Sequence, residues 1–252
     1  MLSFISIVTI NLNNLEGLKK TFQSVFSQDY TNFEYLIIDG GSKDGSVDLI
    51  KLNNKKINYW ISEEDKGIYD AMNKAITQAK GDYILFLNSG DYFSGIDSLS
   101  KLVGAKIDTD IVYGNIGMYK DIILEIKKYP SKLTVHYFHY DTLPHQATLI
   151  KRNLFKKFGY YNTQYRIVSD WIFFWDIIIK GKVSYKYVDQ LISIFDLNGI
   201  SSRPESYNII REEMDLHFIK NYYYHYLIKR LKWASRYYPI RILQKLKLIS
   251  EE

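Results

Sequence analysis

The sequence has no cysteine among its 252 residues. That absence removes disulfides, zinc ribbons, iron–sulfur clusters and thiol nucleophiles together. Any metal would have to be held by Asp, Glu, His or Asn, a donor set suited to a hard cation. Proline is scarce, at four residues, and 46% of the chain is apolar, which excludes collagen-like repeats and general disorder. No apolar run approaches the ~18 residues that a bilayer-spanning helix needs. The longest aromatic–aliphatic run, Trp171 to Ile179, is broken by Asp176. The start, Met1-Leu2-Ser3-Phe4-Ile5-Ser6-Ile7-Val8, carries neither a basic leader nor a cleavage site and runs straight into strand-like sequence. The expected location of the body is therefore cytoplasmic.

What is present is aromatic and basic. Aromatics make up 16% of the chain, 23 of them Tyr, and the net charge is +5. A basic balance points to an anionic partner. The charge is uneven. Residues 216–252 carry +6 and the remaining 215 carry −1. The basic character belongs to the tail, and the body is nearly neutral.

The body alternates strand and helix patterns. Phe4–Ile10, Tyr35–Ile38 and Tyr83–Leu87 are continuous apolar runs, as expected of strands buried on both faces. Ile57–Ile61 reads as a short strand. Helical spacing covers Asn14–Gln28, Ser46–Leu52 and Gly67–Ala79. This βαβαβαβ order predicts an open, mainly parallel α/β sheet. Ligands bind such sheets at the carboxyl ends of the strands, so the residues following each strand carry the interest. Beyond Thr109 the pattern predicts strands at Asp110–Tyr113 and Ile122–Ile126, and helices at Lys151–Phe158 and Ser169–Ile179. It also predicts a hairpin of Val183–Val188 with Leu191–Phe195, and helix from Pro204 to near the end.

Six polar clusters sit at these junctions. Thr9-Ile10-Asn11-Leu12-Asn13-Asn14 can hold a base, although Asn13 or Asn14 capping the next helix is the plainer reading. In Ile38-Asp39-Gly40-Gly41-Ser42-Lys43-Asp44-Gly45-Ser46, a buried strand delivers Asp39 into a glycine-rich turn. That turn is neither a dinucleotide fingerprint nor a P-loop, and Ser42 or Asp44 can cap the following helix. In Asp65-Lys66-Gly67-Ile68-Tyr69-Asp70-Ala71-Met72-Asn73-Lys74, the residues Asp70, Asn73 and Lys74 share a helix face, which suits a ribose diphosphate or an ordinary solvated surface. Asn88-Ser89-Gly90-Asp91 ends a strand on an acid that could sit on a divalent ion or simply in a turn. Leu143-Pro144-His145-Gln146 and Val168-Ser169-Asp170-Trp171 complete the set, Asp170 being equally suited to the start of a helix.

In order and spacing, these stretches resemble a family. The sequence is similar to family-2 inverting glycosyltransferases of the GT-A fold, in the group of bacterial polysaccharide, O-antigen and capsule enzymes. The similarity runs over roughly residues 4–200. It implies a nucleotide-diphospho-sugar transferase domain at 1–203, with a nucleotide-binding half at 1–108 and an acceptor-binding half at 109–203. The donor it implies is a UDP-sugar. It implies that Thr9, Asn11, Asp39, Asp70 and Asn73 bind the nucleotide and that Asp91 holds Mn²⁺ or Mg²⁺. It also implies that Asp170 is the base acting on the acceptor hydroxyl. His145 falls where a donor-phosphate or metal contact is expected, and Gln146 and Trp171 fall on the acceptor side. The chain departs from the family's metal motif, since Asn88 and Gly90 stand where acids are usual. That departure lowers the expected affinity for free metal and leaves a catalytically weak or inactive nucleotide-sugar-binding protein as the alternative.

The tail, 204–252, reads as an amphipathic helical extension, with helical spacing before and after Pro239. Basic aromatic helices lie in the headgroup layer of anionic membranes. Packing on the body accounts for the periodicity equally well. The acceptors of the resembled group, polyprenyl-diphosphate sugars at the inner leaflet, favour peripheral attachment to the inner face of the cell membrane through residues 216–252. Nucleic acid is not expected, because a body of −1 offers no phosphate-tracking surface. A homo-oligomer is left open.

Overall fold

The apolar runs of the first ninety residues form one side of a large sheet in the computed structural model, which describes residues 2–104, 107–120, 123–199 and 202–221. Strands β1 (Ile5–Asn11), β2 (Phe33–Asp39), β3 (Tyr59–Ser62) and β4 (Tyr83–Phe86) are mutually parallel in the order β3-β2-β1-β4. Helices α1 (Leu15–Phe26), α2 (Ser46–Leu52) and α3 (Ile68–Gln78) connect them. Ile5, Ile7, Val8, Leu36, Ile37, Ile38, Ile84, Leu85 and Phe86 are fully buried, so these strands are covered on both faces. Each such side chain contributes roughly 1.5–3 kcal/mol through burial. Helix α1 opens on Asn14, whose side chain accepts from the Gly17 N–H at 3.1 Å, and it buries Leu18, Phe22 and Val25. Asp44 accepts from the Leu15 N–H at 2.7 Å and the Ser46 N–H at 3.0 Å, serving the first residues of two helices at once.

The second half continues the sheet with mixed strand directions. After β5 (Tyr92–Phe93) and α4 (Ser98–Val103) come β6 (Ile111–Lys120), β7 (Ile123–Lys127), α5 (Val135–Tyr140), β8 (Thr148–Lys151), α6 (Asn153–Phe158), α7 (Ser169–Trp175) and β9 (Tyr185–Asp196). The full order is β3-β2-β1-β4-β8-β6-β9-β5, with β7 paired to β6. Strand β8 is antiparallel to both neighbours, and β9 runs parallel to β6.

Four expectations for this half need correction. The hairpin of 183–188 with 191–195 is instead one twelve-residue strand, β9. Its polar Asp189-Gln190 lies where the pairing with β6 shifts register, between Tyr113↔Tyr187 and Asn115↔Leu191. A bulge occupies the place where a turn was expected. The 151–158 helix begins only at Asn153, because Lys151 ends β8. The 169–179 helix changes at Asp176 into a π-helical turn, Asp176–Lys180. The first expected strand of this half also proves longer, reaching Lys120.

The chain divides into two compact units, Met1–Pro204 and Glu205–Glu252. Within the second, helix α8 spans Ser206–Asn221. The expected membrane-facing stretch lies almost wholly outside the described residues, since 222–252 fall beyond them. Among the described residues, no helix is long and apolar enough to cross a membrane.

Candidate active site

Strand register builds the first part of the site. Asn11, Asp39 and Ser62 end three adjacent strands and lie side by side, Asn11 opposite Asp39 and Asp39 opposite Ser62. The Asn11 Nδ2 donates to Asp39 Oδ1 at 2.7 Å, and the Ser62 hydroxyl donates to Asp39 Oδ2 at 2.7 Å. The glycine-rich turn then folds over the carboxylate. Gly41 N–H and Ser42 N–H donate to Oδ2 at 3.1 and 2.9 Å, and the Ser42 hydroxyl donates to Oδ1 at 2.6 Å. Asp39 is completely buried, which pushes its pKa up. The donors of Ser42, Ser62 and Asn11 outweigh that and hold it below the ordinary carboxylate value. A carboxylate offers about four lone-pair directions, so Asp39 is saturated by protein. Its neighbour is not: Asn11 is 1% exposed, and its Oδ1 is buried with no hydrogen-bond partner. Gly40 permits a close approach, because a Cβ there would lie 2.7 Å from Asp65 Oδ2. Asp65 in turn accepts from the Gly67 N–H at 2.9 Å.

Thr9 has a different employment from the expected one. It is fully buried, its hydroxyl donates to the Leu87 carbonyl at 2.7 Å and it lies 2.8 Å from the Tyr35 hydroxyl. It ties β1 to its two neighbours in the core. Asn73 is likewise occupied. Its Nδ2 donates to the Tyr161 carbonyl at 2.8 Å, and its Oδ1 accepts from the Tyr161 N–H at 3.1 Å.

The turn after β4 is held on the same sheet edge. The Ser89 N–H donates to the Ile10 carbonyl at 3.1 Å, and the Gly90 N–H donates to the Thr21 hydroxyl at 3.1 Å. Asp91 is 5% exposed, and its Oδ1 accepts from the Asp196 N–H at 3.0 Å. Burial, with the Asp196 carboxylate adding to it, pushes Asp91 up to about 8 against that single backbone donor. Asn88 Oδ1 is buried without a partner. Asp91 and Asp196, with no ion pair to either among the described residues, and the unpartnered Asn88 Oδ1 of the same turn are groups that suit a divalent cation. Among the described residues no group of three or more His, Asp or Glu forms a complete cage, so further ligands would have to come from a bound diphosphate and water. His145 lies at the same strand end, its Nδ1 3.2 Å from the Phe86 carbonyl. Gln146 beside it is buried.

A second feature opens beside α3. A cleft is lined by Lys66, Gly67, Tyr69 and Asp70 on one side and by Thr163–Arg166 on the other. Asp70 accepts from the Lys66 N–H at 3.0 Å and pairs with Lys74 at 3.6 Å. Tyr69, one of the lining residues, donates its hydroxyl to Asp170 Oδ1 at 2.7 Å. Asp170 stands in the first turn of α7, and the adjacent Trp171 donates from Nε1 to the Phe138 carbonyl at 2.8 Å. Of the expected residues, Asn11 meets Asp39 directly, His145 stands at the end of β4, the strand that leads into the turn carrying Asp91, and Asp170 is tied to α3 through Tyr69, the residue before Asp70.

Sequence reasoning missed Ser62, Tyr69 and Asp196 as members of these groups, while Asp65 was among the strand-end residues it picked out. Asp65 and Tyr69 lie inside a motif already singled out. Ser62 and Asp196 are strand-end residues whose importance depends on which strand lies next to them, a fact without local signal.

Comparison with known proteins follows the same outline. Residues 6–176 match the model of Glycosyl transferase family 2. The chain is 33% identical over 224 residues to an uncharacterized glycosyltransferase of Mycobacterium tuberculosis, covering 84% of each. It is 29% identical over 209 residues to a PGL/p-HBAD biosynthesis glycosyltransferase of Mycobacterium bovis, covering 78% of each. Among solved structures it resembles S. aureus TarS 1–349 in complex with UDP-GlcNAc, with a TM-score of 0.65 at 17% identity; 82% of this chain is covered, but only 64% of that one. It also resembles the mannosyltransferase PcManGT from Pyrobaculum calidifontis in complex with GDP-Man and Mn²⁺, with a TM-score of 0.61 at 13% identity, over 92% of this chain and 65% of that one. The two structures share the GT-A-like architecture seen here, and the family match spans most of the first unit. The chain therefore belongs to glycosyl transferase family 2 and is a nucleotide-sugar-dependent glycosyltransferase.

Proposed function

We propose that this enzyme transfers a sugar from a UDP-sugar to a hydroxyl of a lipid-linked glycan, with inversion at the anomeric carbon, in the assembly of a surface polysaccharide. The observation that carries this reading is the gathering of Asn11, Asp39 and the Asn88–Asp91 turn at one carboxyl edge of the sheet. The names of related proteins support a nucleotide-sugar donor, and one relative is named for PGL/p-HBAD biosynthesis. In this reading Asp39 serves the nucleotide by fixing the 40–42 turn, and the unpartnered Asn11 Oδ1 is the acceptor offered to a base N–H. Asp70 lies at the sugar-phosphate side of the α3 cleft. His145, Gln146 and Trp171 border the donor-phosphate and acceptor sides.

The reaction is a single displacement. The acceptor oxygen forms a bond to the anomeric carbon while the bond to the diphosphate oxygen breaks. The acceptor proton passes to Asp170. When bound at Asp91, Mn²⁺ or Mg²⁺ would neutralise charge on the departing diphosphate. No covalent nucleophile is required. The basic tail would hold the enzyme at the anionic membrane surface where such acceptors reside.

The test is incubation of the full chain with UDP-sugars and a polyprenyl-diphosphate sugar, with and without Mn²⁺. Asp170→Asn is expected to lower transfer by at least about 10³-fold, in the range expected for loss of a general base. Near-normal transfer by that variant overturns the base assignment. Absence of donor turnover under all conditions would favour the non-catalytic, sugar-nucleotide-binding alternative, for which the depleted acids of the Asn88–Asp91 turn are the supporting observation.

A further inference from the structure

We propose that Tyr69 is the positioning residue of the base, acting through Asp170; the proposal rests on Asp170 having that role. Tyr69 is 5% exposed. Its single hydroxyl proton is shared between Asp170 Oδ1 and the Ile167 carbonyl, 101 and 98 residues away in sequence. Burial first, and the Asp170 charge second, push the phenol well above its ordinary pKa, so it remains a donor throughout the working range. With Oδ1 held, Oδ2 is the oxygen left to take the acceptor proton.

The same helix face holds the other end of the segment. Asn73, four residues on and hence one turn along α3, grips both the N–H and the carbonyl of Tyr161. The Tyr69 ring packs on the Tyr161 ring with centroids 5.5 Å apart. Residues 161 and 167–170 are therefore pinned to α3, while the intervening 163–166 line the cleft facing Lys66–Asp70. One helix thereby fixes both the wall of the cleft and the direction of the carboxylate beside it. A carboxylate that rotates freely spends only part of its time aligned with the acceptor hydroxyl, and misplacement by about 1 Å can cost on the order of 10²-fold in rate.

The experiment is Tyr69→Phe, which keeps the ring on Tyr161 and removes only the hydroxyl. The probe is release of the nucleoside diphosphate with water as acceptor, using the most active donor among UDP-glucose, UDP-galactose, UDP-GlcNAc and GDP-mannose. The expected result is a fall in kcat of roughly 10–100-fold with donor KM within about two-fold. In an Asp170→Asn background, Tyr69→Phe should add little further loss. Unchanged kcat in Tyr69→Phe, with Asp170→Asn inactive, overturns the positioning role alone. Full activity of Asp170→Asn overturns the base reading instead. Should Tyr69→Phe fold poorly, 3-fluorotyrosine at position 69 replaces it. It changes the strength of the hydroxyl donor at nearly the same shape, so kcat should change while donor KM stays within about two-fold, and an unchanged kcat would overturn the proposal.

Discussion

Asp39 and Asp91 occupy matching places in two regions of the sheet and have opposite electrostatic fates. One ends β2, and the other closes the turn after β4. Both are buried, at 0% and 5% exposure. Asp39 is held below the ordinary carboxylate range, while Asp91 rises to about 8. The difference lies in where the turn's backbone N–H groups go. Around Asp39 the turn wraps back, and Gly41 and Ser42 aim theirs at the carboxylate. After β4 the N–H groups of Ser89, Gly90 and Asp91 go to the Ile10 carbonyl, the Thr21 hydroxyl and the Asn88 carbonyl. Among the described residues Asp91 receives only the Asp196 N–H, and it faces that residue's negative charge. Burial raises a carboxylate pKa unless donors are delivered with it. A satisfied acid of the first kind is built to stay as it is, and one of the second kind gains from a cation.

That contrast can be broken experimentally. The largest effect is expected from Asp39→Ala, which strands the donors of Asn11, Ser42 and Ser62 in the interior. Chemical denaturation should show a loss of about 3 kcal/mol or more, and a loss below about 1 kcal/mol would refute the picture of a saturated acid. Next comes pH, measured by thermal melts in the presence of a chelator. Asp91 binds its proton in the folded chain up to about 8 but in the unfolded chain only to 3.8. Between those values stability falls as pH rises. Asp91→Asn should therefore be increasingly favourable relative to wild type from pH 5 to pH 8 and level off above. Asp39 has the opposite sign. Its folded pKa is depressed, so its contribution is present above 3.8 and is lost as pH falls below that. In Asp39→Asn that acid-side loss should be missing. Mn²⁺ with UDP should raise the melting temperature of the wild type by several degrees, by mass action, and that of Asp91→Asn by much less; equal shifts would remove Asp91 from the metal site. The smallest effect belongs to Ser62→Ala. It takes one of five donors from Asp39 and should cost about 1 kcal/mol.

The legibility of the fold divides along similar lines. Strands β1, β2 and β4 are apolar runs bounded by Asn11, Asp39 and Asn88, and their places in the sequence could be read directly. Helix α2 appears with the expected bounds, Ser46–Leu52. Strand β9 could not be read in this way, because Asp189 and Gln190 look like a turn until β6 is beside them. There Asp189 accepts from Asn115 Nδ2 at 2.8 Å across a bulge. In the site, Asp39 and Asn11 stood out as polar residues at strand ends, and they do meet. Thr9 and Asn73 were picked out by the same reasoning, but their polar groups are consumed by core and loop contacts. Position in a motif marks a residue as important without saying what it touches.

The sequence by itself determined the alternation of buried strands and amphipathic helices, the polar strand ends and the family to which they belong. Those are local signals, carried by period and by turn chemistry within a dozen residues. The tertiary structure alone decided that Ser62 and Asn11 flank Asp39, that Asp196 faces Asp91 and that Tyr69 holds Asp170. These partners lie between 23 and 105 residues apart. Which of them meet is set by strand register and helix docking, and a one-residue slip would turn each side chain to the opposite face.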